Sequence, residues 1–172
     1  MSQNSGTPDR RTPERCRETA LRLLSQRAHS REELRRKLVA RGYALQVVGE
    51  VLDGLAGVRL VDDLEYAKAY CEQRTAGSRA LGRTRVAMEL RRRGVDGDVI
   101  TQALAEVEGG NDAEAELNNA LEAGRRKWRS IRGQPGDRLA LAKVYRFLAS
   151  RGFSGETCRR VMDRLGSAET AD

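Results

Sequence analysis

The chain is poor in the residues that build most catalytic centres and ligand pockets. His29 is the single histidine of 172 residues, and with no metal-ligand spacing around it, it argues poorly for a metal set or a catalytic site. Cys16, Cys71 and Cys158 are odd in number and far apart, which gives neither a CxxC pair nor a disulfide framework. Aromatic residues make up 4%, with Trp128 the lone tryptophan, and that argues against a large aromatic-lined pocket. Only three prolines occur, and the alternation that marks strands is hard to find. No apolar run reaches the length of a membrane span, and the opening "MSQNSGTPDRRTPER" lacks the apolar core of a signal peptide. A reducing cytoplasm is the simplest expectation, with no membrane partner.

What the chain has is charge. Charged residues are 33% against 39% hydrophobic, with a net charge of +7 and a pI near 9.8. This balance favours anionic partners. Lys37, Lys68, Lys127 and Lys143 are the only lysines, so the positive charge is nearly all arginine. A GC-rich genome produces the same bias, and the positions of the arginines carry more information than their number.

The chain also repeats itself. "LRRKLVARGYALQVVGEVLDGL" from Leu34, "VAMELRRRGVDGDVITQALAEV" from Val86 and "VYRFLASRGFSGETCRRVMDRL" from Val144 align without a gap. Each holds an Arg-Gly pair, ending at Gly42, Gly94 and Gly152. Before each glycine stand Leu34, Val86 and Val144, then Leu38, Leu90 and Leu148; after it come Tyr43, Val95 and Phe153. Downstream, Val48, Ile100 and Cys158 coincide, as do Leu52, Leu104 and Met162. The pattern predicts a helix, a left-handed glycine stop and a second helix with one buried face. Asp96 and Ser154 fit as N-caps of that second helix.

A further helix precedes each pair, over about 13–27, 62–74 and 112–129. The expected fold is therefore all-α, an elongated array of three tandem three-helix repeats. The expected bounds are 13–58, 59–109 and 110–166, with a disordered tail over 1–12 and a flexible end over 167–172.

No catalytic, cofactor or metal site is expected. His29 precedes Ser30-x-x-Glu33, which has the form of a capping box. Asp62-Asp63 suits a helix start, where negative charge is favoured. Cys71 has no imidazole beside it, and Cys158 aligns with core positions. "AGSRALG" and "IRGQPG" match no phosphate-binding fingerprint and read as loops.

The arginines are segregated. Arg31, Arg35, Arg36, Lys37 and Arg41 lie on the middle helix of the first repeat; Arg79, Arg83, Arg85, Arg91, Arg92 and Arg93 cluster at the matching place in the second. Arg125, Arg126, Lys127, Arg129 and Arg132 end the first helix of the third. Residues 43–58 and 95–124 contain no lysine or arginine. A helix-turn-helix module reads DNA with the start of its last helix. Here those helices carry no base in the first two repeats, which argues against sequence-specific reading. The third repeat is the exception, with Arg159, Arg160 and Arg164. Either the charge runs are solvated helix faces, with Glu32–Arg36 and Glu89–Arg93 as i,i+4 pairs, or they form a basic face shared by the first two repeats.

The order and spacing of "HSREELRRKL" with Gly42, "LVDDLEYAKAY", Arg74, Gly82 and "ELRRRGV" resemble the RecX family, regulators of the RecA recombinase. The resemblance covers roughly residues 15–165. It implies tandem three-helix repeats that bind the RecA–single-stranded DNA filament and inhibit ATP hydrolysis and strand exchange. Homologous recombination, DNA repair and the SOS response would thereby be regulated without any reaction of the chain's own. A monomer with weak direct DNA binding is expected. The filament or DNA contact candidates rest on charge alone: Arg31, Arg35 and Arg36; Arg83, Arg85 and Arg91 to Arg93; Arg125, Arg126 and Lys127. The alternative is a general nucleic-acid-binding protein with no RecA partner.

Overall fold

A computed structural model describes residues 12–77, 79–108, 112–131 and 137–167. Among these residues there are nine helices and no strand. In chain order they are α1 (Pro13–Gln26), α2 (Arg31–Val39), α3 (Leu45–Gly57), α4 (Asp63–Thr75), α5 (Arg83–Arg92), α6 (Gly97–Glu108), α7 (Asp112–Ser130), α8 (Arg138–Ser150) and α9 (Gly155–Ser167). The expected disordered tail falls on residues outside those described, apart from Thr12. Most of "IRGQPG" and residues 168–172 also lie outside them.

Local signals set the helix ends. Thr12 caps α1, with Pro13 at the first helical position, where its missing N–H costs nothing. Asp62 Oδ1 accepts from the N–H groups of Leu64 and Glu65 at the start of α4. Asp96 and Ser154 cap α6 and α9 through Asp98 N and Thr157 N, at 2.8 and 3.0 Å. The three repeat glycines all adopt the left-handed conformation, with φ of 87°, 79° and 84° at Gly42, Gly94 and Gly152. At the first, Gly42 N–H donates to Val39 O and Tyr43 N–H to Leu38 O, which satisfies two carbonyls that the helix end would otherwise leave open. The third stop repeats this through Ala149 O and Leu148 O.

The chain folds as two compact units. Among the described residues, unit 1 holds those up to Tyr66 together with Arg93–Val95, and unit 2 holds those of Ala67–Arg92 and those from Asp96 onward. The core of unit 1 comes from Cys16, Ala20 and Leu23 of α1, Leu34 and Leu38 of α2, and Val48, Val51, Leu52 and Leu55 of α3. In unit 2, α7 contributes Leu117, Ala120 and Leu121, α8 Val144 and Leu148, and α9 Cys158, Val161 and Leu165. Val86, Leu90, Ile100 and Ala103 are buried on α5 and α6. The aligned apolar positions are thus the inward ones, each aliphatic side chain contributing about 1.5–3 kcal/mol by leaving water.

Candidate functional site

The Arg-Gly turns decide where much of the charge goes. In unit 1, the turn at 93–95 seats on the start of α2. Ser30 Oγ accepts from Glu33 N–H at 3.1 Å and donates to the Arg93 carbonyl. A Cβ on Gly94 would stand 2.2 Å from Glu32 Cγ, so only glycine fits this seat. The Arg93 guanidinium then reaches Glu33 Oε1 and Tyr66 Oη, both at 3.0 Å. Arg27 holds the other Glu33 oxygen at 3.1 Å. Burial pushes the Glu33 carboxyl up, but Arg27 and Arg93 outweigh it and leave it below the usual range. The expected capping box is therefore corrected on one side: Ser30 caps α2, while Glu33 binds arginines.

The other candidates of unit 1 also face carboxylates. Arg35 and Arg36 hold Glu32 at 2.6 and 2.8 Å. Hydrogen bonds from Arg35, opposed by burial and joined by Arg36, bring Glu32 down to about 2. Arg31 reaches Asp53 Oδ1 at 2.6 Å, and its backbone N–H donates to Asp63 Oδ1. His29 is buried; its Nδ1 lies 2.8 Å from the Arg27 carbonyl and its Nε2 2.8 Å from Lys37 Nζ. Burial lowers its pKa, and the neutral ring donates to the carbonyl and accepts from the ammonium.

In unit 2, the turn at 151–153 seats on the start of α5. Gly82 N–H donates to the Arg151 carbonyl at 2.9 Å. A Cβ on Gly152 would come within 2.5 Å of the Arg85 backbone nitrogen. Arg85 is pinned beneath the turn with its Nε 3.2 Å from Glu89. Glu89 also accepts from Tyr70 and from Arg74, the latter at 2.9 Å. Burial raises Glu89, but Tyr70, Arg74 and Arg85 bring it down to about 2. Both members of the expected Glu89–Arg93 pair are thus engaged with other residues.

Arg83 lines a small cavity of about 210 Å³ with Val107 and Phe153. Arg91 and Arg92 are exposed at the end of α5, as are Arg125 and Arg126 on α7. Arg126 and Lys127 meet Arg74, Arg79, Arg151 and Phe147 around a concavity of about 430 Å³. The Arg151 guanidinium lies 4.6 Å from the Phe147 ring centre, and Lys127 Nζ lies 5.7 Å from it. Arg151 also donates to the Ala80 carbonyl at 3.2 Å. Burial lowers the Arg151 pKa, and the neighbouring charges of Arg126 and Arg79 add to that. Sequence reasoning did not single out Arg74 or Arg151 as contacts, because α4, α7 and α8 bring them together from distant positions. On α9, Arg160 and Arg164 bind Glu114 at 3.3 and 3.6 Å, so this helix turns two of its bases to α7.

Among the described residues, no group of three or more His, Cys, Asp or Glu could hold a metal ion. Their three cysteines are buried. No helix among them is long and apolar enough to cross a membrane.

Three family models match in chain order: the RecX first three-helix domain over 16–55, the second over 62–104 and the third over 114–162. The chain belongs to the RecX family. It is 38% identical to the regulatory protein RecX of Mycobacterium avium (strain 104) over 155 residues, covering 90% of this chain and 87% of that protein. It is 41% identical to the regulatory protein RecX of Mycolicibacterium vanbaalenii over 146 residues, covering 82% and 77%. The crystal structure of RecX from Lactobacillus salivarius matches with a TM-score of 0.77 at 18% identity, over 89% of this chain and 96% of that one. A second RecX crystal structure gives the same TM-score at 24% identity. At these identities the structural matches establish the RecX fold.

Proposed function

We propose that the chain binds the RecA–single-stranded DNA filament and inhibits RecA ATP hydrolysis and strand exchange, without a reaction of its own. The observation that carries this reading is the ordered match of three RecX domains across 16–162, with relatives named regulatory protein RecX. The physical logic is multivalency. Three repeats, taken as 13–58, 59–109 and 110–166, are covalently joined, so each contact raises the effective concentration of the next. Modest single contacts then add up to firm binding. The reading places the protein in the cytoplasm, as a monomer, in the control of homologous recombination and repair.

The test is a titration into RecA, single-stranded DNA and ATP. Hydrolysis should fall as the protein is added, and filament lifetime should shorten. Undiminished hydrolysis with an unchanged lifetime at saturation sinks the reading. Tight, steeply salt-dependent binding to naked nucleic acid that RecA does not alter favours the general binder instead, a reading supported by the basic concavity of unit 2.

A further inference from the structure

The single histidine sits at the corner that holds the turn of unit 1. His29 is 3% exposed, between the end of α1 and the start of α2. The Lys37 ammonium can only donate, so the Nε2 that it meets at 2.8 Å carries the lone pair. The ring proton then lies on Nδ1 and goes to the Arg27 carbonyl. Both ring nitrogens are used, and the pattern fits the neutral imidazole alone. A second proton would set a charged N–H against an ammonium at hydrogen-bond distance.

The charges around the ring do not favour that proton. Arg27 and Lys37 oppose it. Glu33 attracts it, but the Glu33 oxygens already hold Arg27 and Arg93, and Tyr66 of α4 donates to the same carboxylate. Asp53 of α3 and Asp63 of α4 are engaged with the guanidinium and the backbone N–H of Arg31. Burial is the largest influence on His29 and lowers its pKa from the ordinary 6.5. A charged ring is therefore driven from its buried place towards water. The next residue is Ser30, whose hydroxyl serves the Glu33 N–H and the Arg93 carbonyl. The backbone that carries the ring carries the seat as well.

Unit 2 has a seat without this pair. The residues aligned with His29 and Lys37 are Leu81 and Glu89. Tyr70, Arg74 and Arg85 bring Glu89 down to about 2, so it stays ionised in mild acid.

We propose that His29 and Lys37 form an acid-sensitive latch: protonation of the ring breaks its bond to Lys37, drives the ring outward and releases the 93–95 turn from the start of α2. The latch belongs to unit 1 and does not depend on the filament reading. Because the folded-state pKa is depressed, its stabilisation is present above 6.5 and is lost as pH falls through the folded value.

The experiment is an NMR pH titration of the full chain, in which the lone histidine gives one unambiguous imidazole signal. The nuclear Overhauser contact between Gly94 and the Glu32 side chain reports the seat of unit 1, and that between Gly152 and Arg85 reports the seat of unit 2. His29 should titrate below 6.5. The Gly94–Glu32 contact should be lost with the same midpoint, while the Gly152–Arg85 contact persists. Lys37→Met, at a half-buried position, removes the donor and a neighbouring cation and should raise the midpoint. His29→Gln should keep the Gly94–Glu32 contact through that pH range. Asp63, whose carboxyl burial pushes up, titrates in both proteins and does not account for a difference between them. In urea, the wild-type unfolding constant should grow by up to about tenfold per pH unit more than that of His29→Gln, from 6.5 down to the midpoint. A midpoint at or above 6.5, a Gly94–Glu32 contact that survives protonation of the ring, or the same loss of contact in His29→Gln overturns the latch. So does an imidazole that stays neutral until both units unfold together. Should His29→Gln fail to fold, the wild-type contact and the Lys37→Met midpoint decide. Loss of the contact on protonation with a raised midpoint supports the latch, and the absence of either overturns it.

Discussion

The turn at 93–95 in unit 1 and the turn at 151–153 in unit 2 share a backbone but differ in chemistry. Both place a left-handed glycine against the start of a middle helix, α2 or α5. Both have the preceding arginine carbonyl accept a hydrogen bond from the position twelve residues before the Arg-Gly glycine of the preceding repeat. That position is Ser30 in one repeat and Gly82 in the next. The serine uses its hydroxyl; the glycine uses its backbone N–H, and the missing side chain allows close approach. The arginine side chains then diverge. Arg93 is neutralised by Glu33, and Arg151 is crowded by cations. The repeated apolar pattern fixes the seat, while one charge reversal, Glu33 to Arg85, separates an arginine paired with a carboxylate from one that lies among other cations.

The strongest way to break this comparison is at the glycines. Gly152→Ala meets both a left-handed φ of 84° and the Arg85 backbone at 2.5 Å, which cannot move cheaply. Its expected cost is about 3 kcal/mol or more, combining conformational and steric strain. Gly42→Ala has the same conformation, φ 87°, at an exposed turn. The conformational part of its cost should be about 1–2 kcal/mol. Urea unfolding of both variants checks this; equal losses would show that the seat adds nothing to the turn.

The repeat explains why so much of the fold is legible in the sequence. Leu34, Val86 and Val144 are each wholly buried because aligned positions face the same way in aligned helices. Gly42, Gly94 and Gly152 announce their φ because other residues resist it. Asp62, Asp96 and Ser154 cap the helices they precede. The stop of α3 is less visible, since Arg59 takes φ 55° there without a glycine. The charged surface is legible only in part. Arginine runs show where bases are, but not which ones meet carboxylates. Glu33 lies sixty positions from Arg93, and Arg79, Arg126 and Arg151 converge from three separate segments. Pairing of that kind depends on packing between helices, which local spacing does not encode.

The second comparison concerns the two arginines themselves. Arg93→Met removes bonds to Glu33 and Tyr66 and leaves a half-buried carboxylate with less compensation. The expected loss is about 2 kcal/mol. Arg151→Met removes one carbonyl bond and the contact with Phe147, but relieves repulsion from Arg79 and Arg126. Its net effect should lie within about 1 kcal/mol. Acid separates the two further. The Glu33 pKa is depressed, so its stabilisation is present above the ordinary carboxylate range and is lost as pH falls through the folded-state value. The Arg93→Met penalty should therefore shrink in acid, while the small Arg151→Met effect should not follow Glu33. A penalty for Arg93→Met that is unchanged by protonation would exclude Glu33 as its source.

The mildest change tests whether the two seats are interchangeable. Ser30 is wholly buried, and its hydroxyl serves two groups, the Glu33 N–H and the Arg93 carbonyl. Ser30→Ala leaves both without that partner and should cost about 1–2 kcal/mol. Ser30→Gly also removes the hydroxyl, but it copies the residue that unit 2 uses at the same place, where a bare backbone N–H reaches the carbonyl at 2.9 Å. Glycine is also a better N-cap than alanine. If the seat is defined by backbone approach, Ser30→Gly should recover most of the loss, to within about 0.5 kcal/mol of wild type. If glycine is as damaging as alanine, the hydroxyl is indispensable in unit 1. The two turns would then reach one geometry by routes that cannot be exchanged.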